Sequence, residues 1–491
     1  MHIWKKAFLA LAAATIFAGA ATPKDAAKNA AKDAKSSDVV GNVAKNIGAA
    51  DLKSVHYTGS GFAYAFGQSY LPGGPYPKFY AKYSRDIDFG KKLSSEDTTR
   101  TQFENPPRGG GGQPLYREAR GVAVSGPDSA WGGGAVELTP QGWAKAAMES
   151  SPATKSAKVN GKPGTLVTFM HDKYKIEGYV DGDNLLEKVD TWTPNPILGD
   201  MLIETTYSDY KDFGGIKFPT KIAQSQGGHP VLEITVADVQ PNASVNIKPP
   251  NAPPPTHVEA QKIGDGVWYL AGTPDPNAMA VEFKDYVVVI ESSVTEARAL
   301  ANIAKVKELV PNKPIRYHIN SHHHSDHAAG LRAFVAEGST IITHESNKNY
   351  YEKTVLKNPH TLDPDRLTQE PKPAKFIWVK EKYELSDGDR TLDVYWVHGA
   401  GHTSNLLMSY LPKERILFIT DIFNQFGVPR PNDPPPGIVT PYYAALGDNL
   451  KRLNLDPVLI APSHGKEAVS ADILKKDLVG KVEAPPVGPP K

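Results

Sequence analysis

The stretch Tyr317–Gly330, YHINSHHHSDHAAG, places five histidines and one aspartate where a short apolar run gives way to a helical pattern. The spacing His322-x-His324-x-Asp326-His327 carries more information than the number of imidazoles. Side chains at i and i+2 of an extended segment point to the same side, so His322 and His324 share a face. Asp326 and His327 come where HAAGLRAFVAEG begins a helical pattern. One loop can therefore serve two adjacent metal positions. A solvated, tag-like tract would have no aspartate, no preceding strand and no matching ligands elsewhere. His323 lies between two ligand candidates and is expected to face solvent. His318 reads as a strand residue, His344 as a loop residue and His398 as a turn-packing one; the last two could support ligands from behind.

Matching candidates follow, each at the end of an apolar run. TLDVYWVHGAGHTSN presents His402 after a Gly-x-Gly turn, the apolar run in KERILFITDIF leads to Asp421, and that in PVLIAPSHGK leads to His464. In an α/β sheet, loops leaving strand ends gather along one edge, so these distant residues can converge on one cleft. Imidazole and carboxylate without thiolate suit Zn2+, with Fe or Mn as substitutes. Glu291, closing YVVVIES, is read as a residue behind the ligands. Tyr442 and Tyr443 in TPYYAAL are read as packing residues, with donation to a developing oxyanion as the sharper alternative.

The ordered set His-x-His-x-Asp-His, Gly-His-Thr, Thr-Asp and Ser-His-Gly resembles the metallo-beta-lactamase superfamily, over roughly Val258 to Val479. That resemblance implies a four-layer αβ/βα fold. It implies a first metal on His322, His324 and His402 and a second on Asp326, His327 and His464, with Asp421 bridging both. It also implies a dinuclear zinc hydrolase in which a metal-bridging hydroxide attacks an ester, lactone or amide carbonyl, while Asp326 and Asp421 orient the nucleophile and handle its proton. Class B beta-lactamases usually carry Cys or Ser where Asp421 stands, which directs the expectation away from a dedicated lactamase. The alternatives are activity on beta-lactams, an iron-dependent redox member, or a hydrophobe-binding protein with a vestigial metal domain.

Upstream, Ser54 to about Val245 shows period-two alternation bounded by Gly, Pro and Asn, which predicts a mainly antiparallel β domain. The whole chain is thus expected to be α+β. YSDYKDFGGIKFPTKIAQS and LEITVADVQPNASV bear a weaker likeness to lipoprotein-carrier β domains, which would make the small-molecule substrate hydrophobic. Pro106–Pro114, PPRGGGGQP, is expected to be a mobile loop, because no Lys-Ser/Thr follows its glycines as a phosphate cradle requires. The Pro-rich segment 246–257 separates this domain from one over 258–479, and 480–491 is a Pro-rich tail.

At the N-terminus, Lys5 and Lys6 precede an apolar run from Ala7 to Phe17 and a small-residue site at Ala18–Ala20, the pattern of a cleaved secretory signal. A periplasmic or secreted location follows, with residues 21–53 as a spacer ending in a short helix. No other stretch is apolar over the roughly 20 residues that a membrane span needs. The balance of 55 basic and 54 acidic residues gives no global field for nucleic acid or an anionic membrane. With no cysteine, disulfides and thiolate ligands are excluded. The oligomeric state is left open.

Overall fold

A computed structural model of the chain describes residues 38–491. The signal segment and the first part of the spacer lie outside the described residues. Among those described, no helix is long and apolar enough to cross a membrane.

The N-terminal domain is one antiparallel sheet built by hairpins. Its strands are β1 (Ser54–Tyr64), β2 (Lys78–Asp88), β3 (Leu93–Gln102), β4 (Ala119–Ser125), β5 (Ala153–Val159), β6 (Lys162–His171), β7 (Tyr174–Val180), β8 (Leu186–Asn195), β9 (Gly199–Phe213), β10 (Ile216–Gln226) and β11 (His229–Pro241). Their order is β4-β3-β2-β1-β11-β10-β9-β8-β7-β6-β5, so β11 returns to pair with β1 and all other neighbours are consecutive. The alternation read from the sequence appears directly in β2, where Phe79, Ala81, Tyr83, Arg85 and Ile87 are buried between more exposed neighbours. Two helices pack on that buried face. Helix 38–46 contributes Val40, Val43 and Ala44 to the core, and Pro140–Met148 contributes the fully buried Trp143. The short helix expected at the end of the spacer is thus part of the domain's core.

The second domain stacks two sheets. The first contains β12 (His257–Gly264), β13 (Val267–Thr273), β14 (Ala278–Glu282), β15 (Val287–Ile290), β16 (Ile315–Ile319), β17 (Thr340–His344) and β18 (Lys375–Val379), in sequence order. The second contains β19 (Lys382–Ser386), β20 (Thr391–Trp396), β21 (Leu407–Leu411), β22 (Ile416–Ile419), then, past the two-residue β23 (Ile438–Val439), β24 (Leu459–Pro462) and β25 (Val469–Ser470). One apolar cluster, including Val288, Ile290, Val394 and Phe418, fills the space between the sheets. Helices Glu296–Leu309 and Leu331–Glu337 cover the outer face of the first, and Pro441–Arg452 that of the second. Strands β15 and β22 are buried on both faces, which explains why they read as continuous apolar runs rather than alternating ones. The result is the α+β chain with a four-layer αβ/βα second domain that the motifs implied.

Candidate metal centre

The seven residues singled out in the sequence converge on one edge of the two sheets. β16 ends at Ile319, and the extended segment after it presents His322 and His324 before helix Ser325–Ala328 starts. β22 ends at Ile419 and delivers Asp421, and β24 ends at Pro462 and delivers His464. Asp421 sits at φ +59°, in the left-handed region that aspartate tolerates better than most residues. From that turn its carboxylate reaches histidines of both donor groups.

The donor atoms form two groups, each lying within 4.8 Å of one another: His322, His324 and His402; and Asp326, His327, Asp421 and His464. Asp421 joins them. Its Oδ2 lies 3.5 Å from His322 Nε2, 3.4 Å from His402 Nε2 and 3.1 Å from His327 Nε2, and its Oδ1 lies 3.2 Å from His464 Nε2.

Two observations test whether these residues suit a metal. First, His322 Nε2, His324 Nδ1 and His402 Nε2 are buried and have no hydrogen-bond partner, a costly state for a ring nitrogen unless its lone pair has another use. Burial, joined by repulsion from neighbouring imidazoles, holds all three rings below the ordinary histidine pKa, so they stay neutral and able to ligate. Second, the other group gathers negative charge. Burial works to depress His327, but Asp421, Asp326 and Glu291 outweigh it and leave it raised. His464 is pushed up to about 10: burial works against this, and hydrogen bonds to Asp275 and Asp421 overcome it. The two carboxylates thus demand a cation, and a metal ion meets that demand with the imidazoles neutral. Both groups fit N/O coordination of a divalent ion such as zinc.

The free ring nitrogens are set by the residues behind them. Glu291 accepts from Ser321 Oγ at 2.6 Å and lies 3.0 Å from His327 Nδ1. It occupies φ +84°, a rare conformation for a side chain of its size, and is fully buried. Ser321 Oγ also meets His322 Nδ1 at 3.0 Å, and Asp275 pairs with His464 Nδ1. Tyr442 and Tyr443 are packing residues: their phenols donate to the carbonyls of Gly109 and Asn424. His344 bonds Ser346, and His398 pairs with Glu381, so neither stands behind a ligand.

Two expectations need correction. His323 does not face solvent. It is buried, with Nε2 3.1 Å from Ser69 Oγ and Nδ1 beside Asn405. Its direction, opposite to His322 and His324, was legible; what covers it is the β1–β2 connection of the other domain. Nor is Pro106–Pro114 an unattached loop. Gly109 N donates to the Gly401 carbonyl at 2.9 Å, while Gly110 N and Gly111 N donate to Gln68.

That same connection reaches the metal centre, which sequence reasoning missed. Gln68 Nε2 donates to Asp326 Oδ1 at 2.7 Å, and His324 Nε2 donates to the Ser69 carbonyl at 2.8 Å. No motif marks Gln68 or Ser69, because they are ordinary loop residues whose role comes from docking. The centre opens into a cleft of about 540 Å³ whose walls come from both domains, with Gln68 and Leu115 on one side and Asn424 and Phe426 on the other.

Residues 271–464 match the family model described as the metallo-beta-lactamase superfamily. A metallo-beta-lactamase from Pontibacter korlensis is 18% identical over 45% of this chain and 97% of its own, with a TM-score of 0.34. One from Hirschia baltica is 22% identical over 45% of this chain and 95% of its own, with a TM-score of 0.33. FIM-1 from Pseudomonas aeruginosa is 19% identical over 47% and 95%, with a TM-score of 0.34. No curated protein matches the chain. With the four motifs in order, the four layers of the fold and the match to the family model, the segment 271–464 is a domain of the metallo-beta-lactamase superfamily.

Proposed function

We propose that this protein is an exported dinuclear zinc hydrolase acting on an ester, lactone or amide bond of a small-molecule substrate. The observation that carries the reading is the pair of largely buried donor groups that meet at Asp421 beside a cleft. His322, His324 and His402 would hold one ion, and Asp326, His327 and His464 the other. Bound zinc supplies a water activated near neutral pH and a Lewis acid for the scissile carbonyl. The chain's own part is orientation and proton handling. Gln68 donates to Asp326 Oδ1 and so fixes the carboxylate with Oδ2 turned to the metal group, 3.3 Å from His327 Nε2; held there, Asp326 together with Asp421 would orient the attacking water and carry its proton to the leaving group. Glu291 and Asp275 fix His327 and His464 from behind. The absence of cysteine and of a Gly-x-Ser-x-Gly elbow is in keeping with a chain that supplies no side-chain nucleophile.

The test is metal analysis joined to a panel of ester, lactone, phosphodiester, sulfate-ester and beta-lactam substrates. Two zinc ions per chain and hydrolysis of a carbonyl substrate are expected. Asp421→Ala should lose most bound metal and the several kcal/mol that metal supplies, about a hundredfold or more in turnover. Near-wild-type turnover by metal-depleted Asp421→Ala protein would end the proposal, and iron with no hydrolysis would replace it with a redox reading. Export is tested by N-terminal sequencing of the mature protein, which should begin near Ala21.

A further inference from the structure

The inward face of the N-terminal sheet lines a half-open cavity of about 390 Å³, separate from the metal cleft. Arg100 lines both. It stands on β3, where Glu96 and Thr98 share its face, while Asp97 and Thr99 point to the other side of the sheet. The charged neighbours differ from it in one respect. Arg85 is paired with Glu96 at 3.1 Å, and Arg120 is paired with Asp97. Arg100 has no carboxylate and no hydrogen-bond acceptor recorded among the described residues; its guanidinium lies 5.0 Å from the Phe79 ring centroid. Burial lowers its pKa, as expected of a cation partly removed from water without a counter-ion.

A second unpaired guanidinium faces the same cleft from the metal domain. Arg430 stacks over Phe426 at 3.6 Å, and the Phe426 ring lies 5.8 Å from that of His464. The two sides are tied together, since Tyr116 N donates to the Pro431 carbonyl and Arg117 Nη2 to that of Arg430. Among the described residues the cleft wall holds Arg100, Arg120 and Arg430, and its only carboxylates are Asp326 and Asp421, both committed to the metal groups. A desolvated guanidinium is stabilised by a planar or tetrahedral anion that accepts two of its hydrogen bonds.

We propose that the substrate carries an anionic group, a carboxylate, phosphate or sulfate, apart from its scissile bond, and that Arg100 receives it where the sheet cavity meets the metal cleft, with Arg430 facing it across that cleft. This rests on the hydrolase reading. It assigns the N-terminal domain a share in substrate selection and explains why a guanidinium is kept unpaired at the junction.

The experiment uses metal-loaded full-length protein and a series of p-nitrophenyl esters whose acyl chains end in methyl, carboxylate, phosphonate or sulfonate. Wild-type kcat/KM should favour an anionic ester by about tenfold to a hundredfold, the range of a charged hydrogen bond, with the gain in KM. Arg100→Gln should remove most of that preference and Arg100→Lys should retain part of it, with metal content and Tm measured on each sample. The carboxylate, phosphonate and sulfonate arms identify which anion is taken. Equal kcat/KM for neutral and charged esters in the wild type overturns the inference and leaves the hydrolase reading standing. If metal-loaded protein cleaves none of these esters, calorimetry with octanoate and octanamide decides the anion site alone, and the hydrolase reading fails if lactones and amides are not cleaved either. Tighter octanoate binding, weakened about tenfold or more by Arg100→Gln, supports the site; equal binding of the two overturns it.

Discussion

The chemistry of this centre depends on which nitrogen each imidazole offers, and that is decided one residue behind the ligands. Glu291 is the clearest case. It is fully buried, holds its backbone at positive φ, and pins His327 Nδ1, so that Nε2 faces the metal group. Glu291→Gln keeps the shape and removes the charge. It should weaken metal binding about tenfold to a hundredfold, the usual loss for a partner behind a ligand, and chelator competition would measure it. Unchanged affinity would show that Thr420 Oγ1, 3.4 Å from the same nitrogen, suffices to orient the ring. His318 makes the opposite point. It lies on β16, fully buried, with its ring stacked 3.8 Å from that of Phe334 and Nε2 2.5 Å from Ser292 Oγ, so it packs the layer beneath the centre. Burial pushes its pKa down to about 3. The unfolded chain, with an ordinary value near 6.5, therefore takes up this proton first as pH falls. The stability tied to keeping His318 neutral is complete above that value and is lost from about pH 6.5 toward pH 3, at about 1.4 kcal/mol per pH unit. Denaturation midpoints between pH 7 and pH 4 should fall more steeply for the wild type than for His318→Gln; equal slopes would mean that the folded site accepts the proton after all.

At the scale of elements, the centre is built by strand ends and closed by two loops of the other domain. The Pro106–Pro114 loop can approach because Gly110 has no side chain. A Cβ there would come 1.9 Å from Gln68 Oε1 and 2.9 Å from His402 Cε1. Gly110→Ala should therefore displace Gln68, free Asp326 Oδ1, and lower turnover about tenfold with little change in Tm, the size of effect expected when a positioned proton carrier loses its restraint. Steady-state kinetics beside a melting curve would separate this from general damage, and a large fall in Tm would refute it. Gly67 shows the same constraint at φ +71°, where an added Cβ would meet the Ser325 side chain at 2.4 Å. The glycine-rich composition of these loops was visible beforehand, but it reads equally as freedom and as close approach. Only the contact partner distinguishes the two.

At the scale of the whole molecule, the N-terminal sheet is a working wall of the metal cleft rather than a neighbour on a tether. It supplies Gln68 to Asp326 and the Ser69 carbonyl to His324, Arg100 to the cleft, and a second docking point at Asp200, whose carboxylate accepts from Thr361 N and Leu362 N. The residues that converge at the centre, the four-layer domain and the hairpin sheet were legible in the sequence for a local reason. Strand alternation, strand-end placement and the spacing of His322, His324, Asp326 and His327 are properties of a few consecutive residues, and each was written into its own segment. What covers His323, what fixes Asp326, and which arginine is left unpaired were decided only by the tertiary structure. Those depend on contacts between segments more than 200 residues apart in sequence, such as Gln68 with Asp326, and side-chain chemistry alone does not say which distant loop will dock on which.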